Sequence, residues 1–390
     1  MTDANPPEPI DRTESPIVAP PARGIPPWLR AALVVGLLYL FLVGVKLLET
    51  GIKGLGEDSA GNLFEGITNP FAALFVGILA TVLVQSSSVT TATIVALVGA
   101  GQLPIDTAVP MIMGANIGTT VTATIVALAH ARRTEEFRRA FTAATMHDFF
   151  NVIAVAVLLP LELLTGFLAS TATWLAELLP GGADATFDSP IKGIVKWGAT
   201  RIAEALKPIF DSGTSLAVAV IVIGIIIIFV TLTYITKNMR TLIANRIERS
   251  VNAALEKSGL VGMAVGVLVT VAVQSSSITT SIIVPLVASG MLLVRNAYPI
   301  TLGANVGTTI TALLAALAAD SVDAMSIALV HLLFNVFGIV MLYPIRRLRH
   351  LPVILAERLA NVAVKRKWIA VVYTIIAFLV IPVVGILVLR

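Results

Sequence analysis

The feature that most constrains this chain is a polar stretch that occurs twice, each time inside a long apolar run. Each copy reads Gln-Ser-Ser-Ser, and the two copies begin 189 residues apart, at Gln85 and Gln274. Each is followed at the same distance by a Gly-Ala-Asn-x-Gly-Thr-Thr segment, at residues 114–120 and 303–309. A duplication in register of polar residues within apolar sequence predicts two structurally related halves.

The composition is that of a protein that crosses a membrane several times. Of 390 residues, 57% are hydrophobic and only 13% are charged, and the mean hydropathy is +0.92. The absence of cysteine excludes disulfides, thiolate metal sites and cysteine nucleophiles. The net charge of +4 comes mainly from loop lysines and arginines, so it indicates membrane orientation rather than nucleic-acid binding.

Hydropathy and charge divide the chain into five parts. A proline-rich start predicts a disordered cytoplasmic tail, and a loop with charges of both signs separates the two repeats. The parts are the tail at 1–27, the first transmembrane repeat at 28–164, the inter-repeat loop at 165–212, the second transmembrane repeat at 213–345, and a basic cytoplasmic segment with the last transmembrane helix at 346–390.

Each polar stretch divides an apolar run into two parts, and each part is too short to cross the membrane as a helix. Residues 71–84 would span roughly 21 Å as a helix, short of the ~30 Å hydrocarbon core. Two such half-length helices predict a re-entrant hairpin whose tip lies near mid-membrane. In 114–120 and 303–309, two glycines and an asparagine favour local unwinding of a membrane helix.

The basic loops predict the topology. Arginines at 132–139 and a basic run at 237–257 both indicate cytoplasmic loops. The two halves then enter the membrane with opposite polarity. The predicted fold is an all-α polytopic membrane protein with two inverted-topology repeats, each with a re-entrant helical hairpin and a discontinuous transmembrane helix.

The polar stretches suit a transported anion and a cation together. The half-helix after each stretch begins at the break, and a helix N-terminus can hold an anion. Exposed carbonyls with Ser, Thr and Asn oxygens suit Na⁺. Because neither stretch contains Arg or Lys, a multivalent anion would need co-bound cations. The alternative is that the Ser and Thr residues only allow close helix packing.

The paired Gln-Ser-Ser-Ser stretches and Gly-Ala-Asn-x-Gly-Thr-Thr segments resemble the type II sodium–phosphate cotransporter family, over about residues 31–389. The resemblance implies a secondary active transporter, not an enzyme, that takes up divalent inorganic phosphate with Na⁺ by alternating access. The implied partners are phosphate, Na⁺ and the lipid bilayer, with no cofactor, no transition metal, no nucleic acid and no obligate protein partner. A bacterial inner membrane is the simplest setting.

The resemblance also implies the site residues. The phosphate would lie at the two serine stretches, with Na⁺ at nearby oxygens. The implied phosphate-binding residues are Gln85, Ser86, Ser87, Ser88, Gln274, Ser275, Ser276 and Ser277. The implied Na⁺-binding residues are Thr90, Thr91, Asn116, Thr119, Asp148, Thr279, Thr280, Asn305 and Thr308.

Asp148 breaks the symmetry of the repeats. An acid within a membrane segment predicts a functional role, and its counterpart in the second repeat is Leu332. In the resembling family, an acid in this Ala-x-x-x-Asp context implies electrogenic transport through an extra Na⁺. The alternative is an ion pair with Arg138 or Arg139.

Further polar residues lie near Asp148. His147 and its counterpart His331 could bind substrate or sense protons, although capping of a nearby carbonyl is favoured. Asn151 and Asn335 are expected to form interhelical hydrogen bonds.

Other functions stay open at this point. A Na⁺-coupled carrier of another oxyanion or a dicarboxylate would use similar chemistry, as would a passive anion channel or a phosphate exporter. An intramembrane enzyme is disfavoured, since the sequence has no paired carboxylates, metal-ligand cluster or Ser/His/Asp set within one membrane layer.

Overall fold

The computed structural model describes residues 26–55, 67, 69–179, 190–210, 213–254, 259–319 and 321–389. Residues 1–25 of the predicted disordered tail lie outside the described residues. The first helix begins at Pro27. The middle of the inter-repeat loop, residues 180–189, also lies outside the described residues.

All regular elements within the described residues are helices. In the first half they are α1 Pro27–Gly54, α2 Pro70–Val84, α3 Ser87–Gly99, α4 Ile105–Thr119, α5 Val121–Leu128, α6 Thr134–Thr165, α7 Phe167–Leu178 and α8 Pro190–Leu206. They continue with α9 Gly213–Ala254, α10 Gly259–Val273, α11 Ser276–Ala288, α12 Val294–Ala318, α13 Val322–Leu342, α14 Arg346–Arg349, α15 Leu351–Lys365, α16 Trp368–Ile375 and α17 Ile381–Leu389. A π-helical turn, Ile376–Val380, joins α16 to α17.

Seven described helical segments are long and apolar enough to cross a membrane, which confirms the prediction of a polytopic all-α protein. They are Pro27–Gly54, Ile105–Leu128, Thr134–Thr165, Gly213–Met239, Val294–Ala318, Val322–Leu342 and Trp368–Leu389. Four shorter apolar helices, α2, α3, α10 and α11, lie between them.

The shorter helices form two helix–turn–helix pairs at the predicted positions. Helix α2 ends at Val84 and α3 begins at Ser87, while α10 ends at Val273 and α11 begins at Ser276, so Gln85 and Gln274 stand directly after the first helix of each pair. The helices have 13 or 15 residues, so each spans only about 20–23 Å. Each polar stretch is therefore a tight turn between two half-length helices.

The predicted unwinding at the glycine–asparagine segments is wrong. Helix α12 runs without interruption through residues 303–309. In the first half, Thr120 alone separates α4 from α5, and its backbone stays near helical values at φ −75° and ψ −18°. The discontinuous helices expected in both repeats are thus close to continuous.

The glycines serve close helix packing instead. A Cβ at Gly114 of α4 would overlap the Leu74 carbonyl of α2, and one at Gly303 of α12 would overlap the Met263 carbonyl of α10. Removal of the side chain lets the two backbones touch, as small residues do between membrane helices. A glycine in the sequence can mean either that the backbone unwinds there or that two helices pack closely. In this structure the glycines allow close packing of two helices.

The two halves share their hydrophobic cores. One cluster joins α1 to α4 with α9, α12 and α13, and a second joins α5 and α6 with α10, α11, α12 and α15. The basic segment after α13 forms α14 and α15, and α15 packs against α6. Ala356, Ala360 and Ala363 form the buried face of α15.

We predict that Gly114→Ala and Gly303→Ala each destabilise the protein by about 1–3 kcal/mol, because the added methyl group pushes two packed helices apart. Gly36→Ala is the control, since a Cβ there meets nothing within 4 Å, and loss of a helical glycine slightly favours the helix. Thermal unfolding in detergent measures both effects. Equal melting temperatures for the three variants would contradict the packing role.

Candidate functional site

The two glutamines of the duplicated stretch hold a strained backbone conformation. Gln85 has φ 55° and Gln274 has φ 57°, and they are the two non-glycine residues with positive φ in the described chain. The left-handed conformation costs about 1–2 kcal/mol for a residue with a Cβ. Glycine would avoid this cost, so a glutamine at both turns points to a role for its side chain.

Each glutamine side chain is fixed by the same two contacts. The Nε2 amide of Gln85 donates to the Val82 carbonyl at 2.6 Å, and that of Gln274 donates to Val271 at 2.6 Å. The Oε1 atoms accept from threonine hydroxyls 37 residues further along the chain, from Thr122 at 3.4 Å and Thr311 at 3.0 Å. One amide N–H of each glutamine stays available to a ligand.

The two turns differ in exposure. Gln274 is 9% exposed, whereas Gln85 is an exposed residue. The serines that follow are better covered, since Ser87, Ser88 and Ser276 are all buried. The repeats therefore have the same local structure but different access to their turns.

A serine caps the second helix of each hairpin. The Ser86 hydroxyl accepts from the Val89 amide at 3.3 Å, and the Ser275 hydroxyl accepts from the Ile278 amide at 3.4 Å. Because each oxygen acts as acceptor in the cap, its own proton remains free to donate. Together with the first-turn amides, these hydroxyls form donor-rich ends that suit an anion.

The threonines behave in the opposite way, since each donates its one proton to its own helix. Such a hydroxyl keeps its lone pairs, so it can act as an acceptor toward a cation but has no proton left for an anion. This pattern holds for Thr90, Thr91, Thr119, Thr280 and Thr308. Thr279 bonds both to Ser275 O at 3.3 Å and to Thr270 at 2.9 Å.

Asparagines of the two halves meet in a buried hydrogen-bond network. Asn305 of α12 donates to Asn151 of α6 at 2.9 Å, and Asn335 of α13 donates to Asn116 of α4 at 3.3 Å. Asn151 also donates to the Asn116 carbonyl at 3.0 Å. All four are at most 5% exposed. The prediction of interhelical bonds for Asn151 and Asn335 is confirmed, and the bonds cross between repeats.

His147 joins this network through a side chain rather than a backbone cap. Its Nε2 lies 2.5 Å from Oδ1 of Asn305, whose amide nitrogen already donates to Asn151. Nε2 must then carry the proton, which leaves Nδ1 as an acceptor. That Nδ1 and the Oδ1 of Asn335 are buried without a hydrogen-bond partner. The favoured capping role for His147 is therefore wrong.

Asp148 lies beside the network, and its alternative ion pair is not formed. Its Oδ2 accepts from Tyr373 at 3.0 Å and from Thr124 at 3.5 Å, while its Oδ1 is buried without a partner. Arg138 pairs with Glu135 instead, at 3.1 Å. Asp148 and Arg138 are ten residues apart on one helix, roughly 15 Å along its axis.

The predicted site residues thus form three groups. The two Gln-Ser turns lie in separate hairpins, and no hydrogen bond within the described chain joins one turn to the other. Asn116 and Asn305 belong to the buried network, and Asp148 forms its own group with Thr124 and Tyr373.

Residues outside the sequence motifs contact predicted site residues. Thr122 and Thr311 are 189 residues apart, so the repeat offset could have found them. Tyr373 has no counterpart in either repeat, and the sequence carried no signal for it.

The family described as Na⁺/Pi-cotransporter matches residues 40–171 and 227–357, which are most of the chain and fall in its two halves. The chain belongs to the Na⁺/Pi-cotransporter family. This confirms the resemblance and places the chain in a family of multi-pass membrane transporters rather than enzymes. The two matched segments contain the two Gln-Ser turns, one in each.

Similar proteins are named as sodium-dependent phosphate transport proteins. The chain is 36% identical to sodium-dependent phosphate transport protein 2A of Rattus norvegicus, over 91% of this chain and 67% of that protein. It is 32% identical to sodium-dependent phosphate transport protein 2B of Homo sapiens, over 90% of this chain and 64% of that protein. No solved structure matches.

We predict that Thr311→Val destabilises the protein by about 1–3 kcal/mol, because it leaves the oxygen of buried Gln274 without a donor. Thr122→Val is the matched control. It should cost under about 0.5 kcal/mol, since water can replace the lost hydroxyl at exposed Gln85. Unfolding in urea and detergent measures both. Similar losses in the two variants would contradict the difference in burial.

Proposed function

We propose that the protein is a secondary active transporter that couples uptake of inorganic phosphate to Na⁺ at the cell membrane. The observation that carries the proposal is the pair of Gln-Ser turns, each at the start of a buried helix, in a member of the Na⁺/Pi-cotransporter family. The names of its relatives support the same substrates.

The phosphate would lie at the donor-rich turns. Phosphate accepts hydrogen bonds, and each turn offers a free amide N–H, a serine proton and the unpaired amides of a helix N-terminus. The proposed ligands are Gln85, Ser86, Ser87, Ser88, Gln274, Ser275, Ser276 and Ser277. No lysine or arginine occurs in either stretch, so the anion's charge requires co-bound cations.

Na⁺ would lie at the oxygens that have no proton to donate. Na⁺ is coordinated by oxygen ligands such as carbonyl groups, and the threonine back-bonds leave such lone pairs. The buried partnerless Oδ1 atom of Asp148 adds an acceptor that a cation would satisfy. The proposed ligands are Thr90, Thr91, Asn116, Thr119, Asp148, Thr279, Thr280, Asn305 and Thr308.

We propose further that the halves are inverted repeats with re-entrant hairpins, which alternate access to the site. Half-length helices that meet at a polar turn support the hairpins, since they are too short to cross the bilayer. The contacts Asn305–Asn151 and Asn335–Asn116 support alternation, because they couple each repeat to the other across one interface.

We predict that proteoliposomes containing the purified protein take up labelled phosphate with an inward Na⁺ gradient, but not with an equal K⁺ gradient. Gln274→Ala should lower this uptake at least about tenfold, since loss of one hydrogen bond to a charged group costs roughly 1.5–3 kcal/mol. Gln102→Ala, outside both turns, is the control. Equal uptake in Na⁺ and K⁺ would contradict coupling, and no uptake by folded protein would contradict phosphate as substrate.

Asp148 would make the transport electrogenic by holding an additional Na⁺ with the hydroxyls of Thr124 and Tyr373. We predict that Asp148→Asn keeps Na⁺-dependent phosphate uptake but removes its increase with an inside-negative potential. Asp106→Asn, which removes an exposed acid in the first turn of α4, is the matched control. Uptake that depends on potential equally in both variants would contradict this role.

A further inference from the structure

A basic cleft lies at the ends of three elements, away from the Gln-Ser turns. It has a volume of about 730 Å³ and opens between the N-terminal part of α6, the segment that joins α11 to α12, and α15. Its basic side chains come from α6, from the first turn of α12 and from the residue that precedes α15. They are Arg138, Arg139, Arg295 and His350.

The positive charge of this basic cleft is largely uncompensated. Arg139 and Arg295 form no ion pair within the described chain, and Arg138 is paired with Glu135 outside the cleft lining. Glu357 is the one acid that lines the cleft among the described residues. Convergent arginines without acidic partners are the arrangement that binds phosphate groups.

A smaller cavity continues the basic cleft inward. It has a volume of about 190 Å³ and shares Arg295 and His350 with the cleft. The Arg349 guanidinium lies 4.4 Å over the Tyr343 ring and is held by the Tyr343 carbonyl at 2.6 Å. The hydroxyl of Tyr298, also in the lining, is buried without a partner. The inner end therefore offers a polar atom that a bound ligand would satisfy.

The walls of the basic cleft are apolar. Leu292 and Leu293 lie on one side, and Val353 and Ile354 of α15 lie on the other. Leu293 is 51% exposed and Ile354 is 41% exposed, although both adjoin the arginines. A free inorganic anion gains no binding energy from apolar walls. A phospholipid carries acyl chains close to its phosphate group, so it can contact the arginines and the apolar walls at the same time.

We propose that the basic cleft binds an anionic phospholipid, with the headgroup phosphate at Arg139 and Arg295 and an acyl chain along the apolar walls. Two of the segments that form the cleft, at residues 132–139 and 346–367, are basic segments that charge assigns to the cytoplasmic side, where anionic headgroups attract clustered arginines. A lipid bound there would contact both α15 and the segment that follows the second hairpin, and would hold them together. This inference does not depend on the transported substrate.

The test is binding of dioleoyl phosphatidylglycerol to the detergent-purified full chain, by native mass spectrometry and thermal unfolding. Neutral phosphatidylcholine and inorganic phosphate are the comparison ligands. The double variant Arg139→Gln/Arg295→Gln should bind phosphatidylglycerol roughly tenfold to thirtyfold more weakly. Arg346→Gln/Arg347→Gln, two exposed arginines outside the cleft, is the matched control and should bind as the unmodified chain does.

Glu357→Gln keeps the test decisive if the double variant fails to fold. Removal of the one lining carboxylate should strengthen phosphatidylglycerol binding by severalfold. Equal losses in the two arginine pairs, or no change in Glu357→Gln, would overturn the proposal in favour of general surface attraction. Stabilisation by inorganic phosphate equal to that by phosphatidylglycerol would overturn it in favour of a soluble anion.

Discussion

Polar groups that are buried among membrane-spanning helices, away from any water-lined cavity, have no water to bond with, so each must find its partner inside the protein. This requirement explains how the buried side chains of this chain are arranged. The glutamines of the two turns bond to a carbonyl and to a threonine, and the serines cap helices. Oδ1 of Asp148 stays without a partner, and we propose that a transported Na⁺ supplies the missing interaction there.

The two repeats have the same local structure at the Gln-Ser turns. They differ at Asp148, the residue proposed to make transport electrogenic. Both turns have the same backbone, the same serine cap and the same threonine contact, 189 residues apart. Asp148, however, corresponds to Leu332 in the second repeat. Its hydrogen-bond partner Tyr373 comes from the last span, outside both repeats. Duplication thus accounts for the two matching turns, whereas Asp148 and the last span make the two halves different.

Sequence predicted the local features that depend on spacing. The helix ends at Gln85 and Gln274 follow from apolar runs too short to cross a bilayer, and Asn151 and Asn335 bond between helices as amides in a bundle must. The glycine segments do not reveal their role in sequence, because glycine permits both unwinding and close packing. Tyr373 and the His147–Asn305 bond could not be predicted, since long-range packing alone decides which side chains meet.

We propose that both turns bind one phosphate together with Na⁺. Because the chain has no cysteine, Ser86→Cys and Ser275→Cys each introduce a single reactive thiol. The measurement is the rate at which a thiol reagent modifies each variant, with and without phosphate, in Na⁺ and in K⁺. We predict that phosphate slows modification at both positions in Na⁺ and at neither in K⁺. Protection at one position only, or equal protection in K⁺, would contradict a shared Na⁺-dependent site.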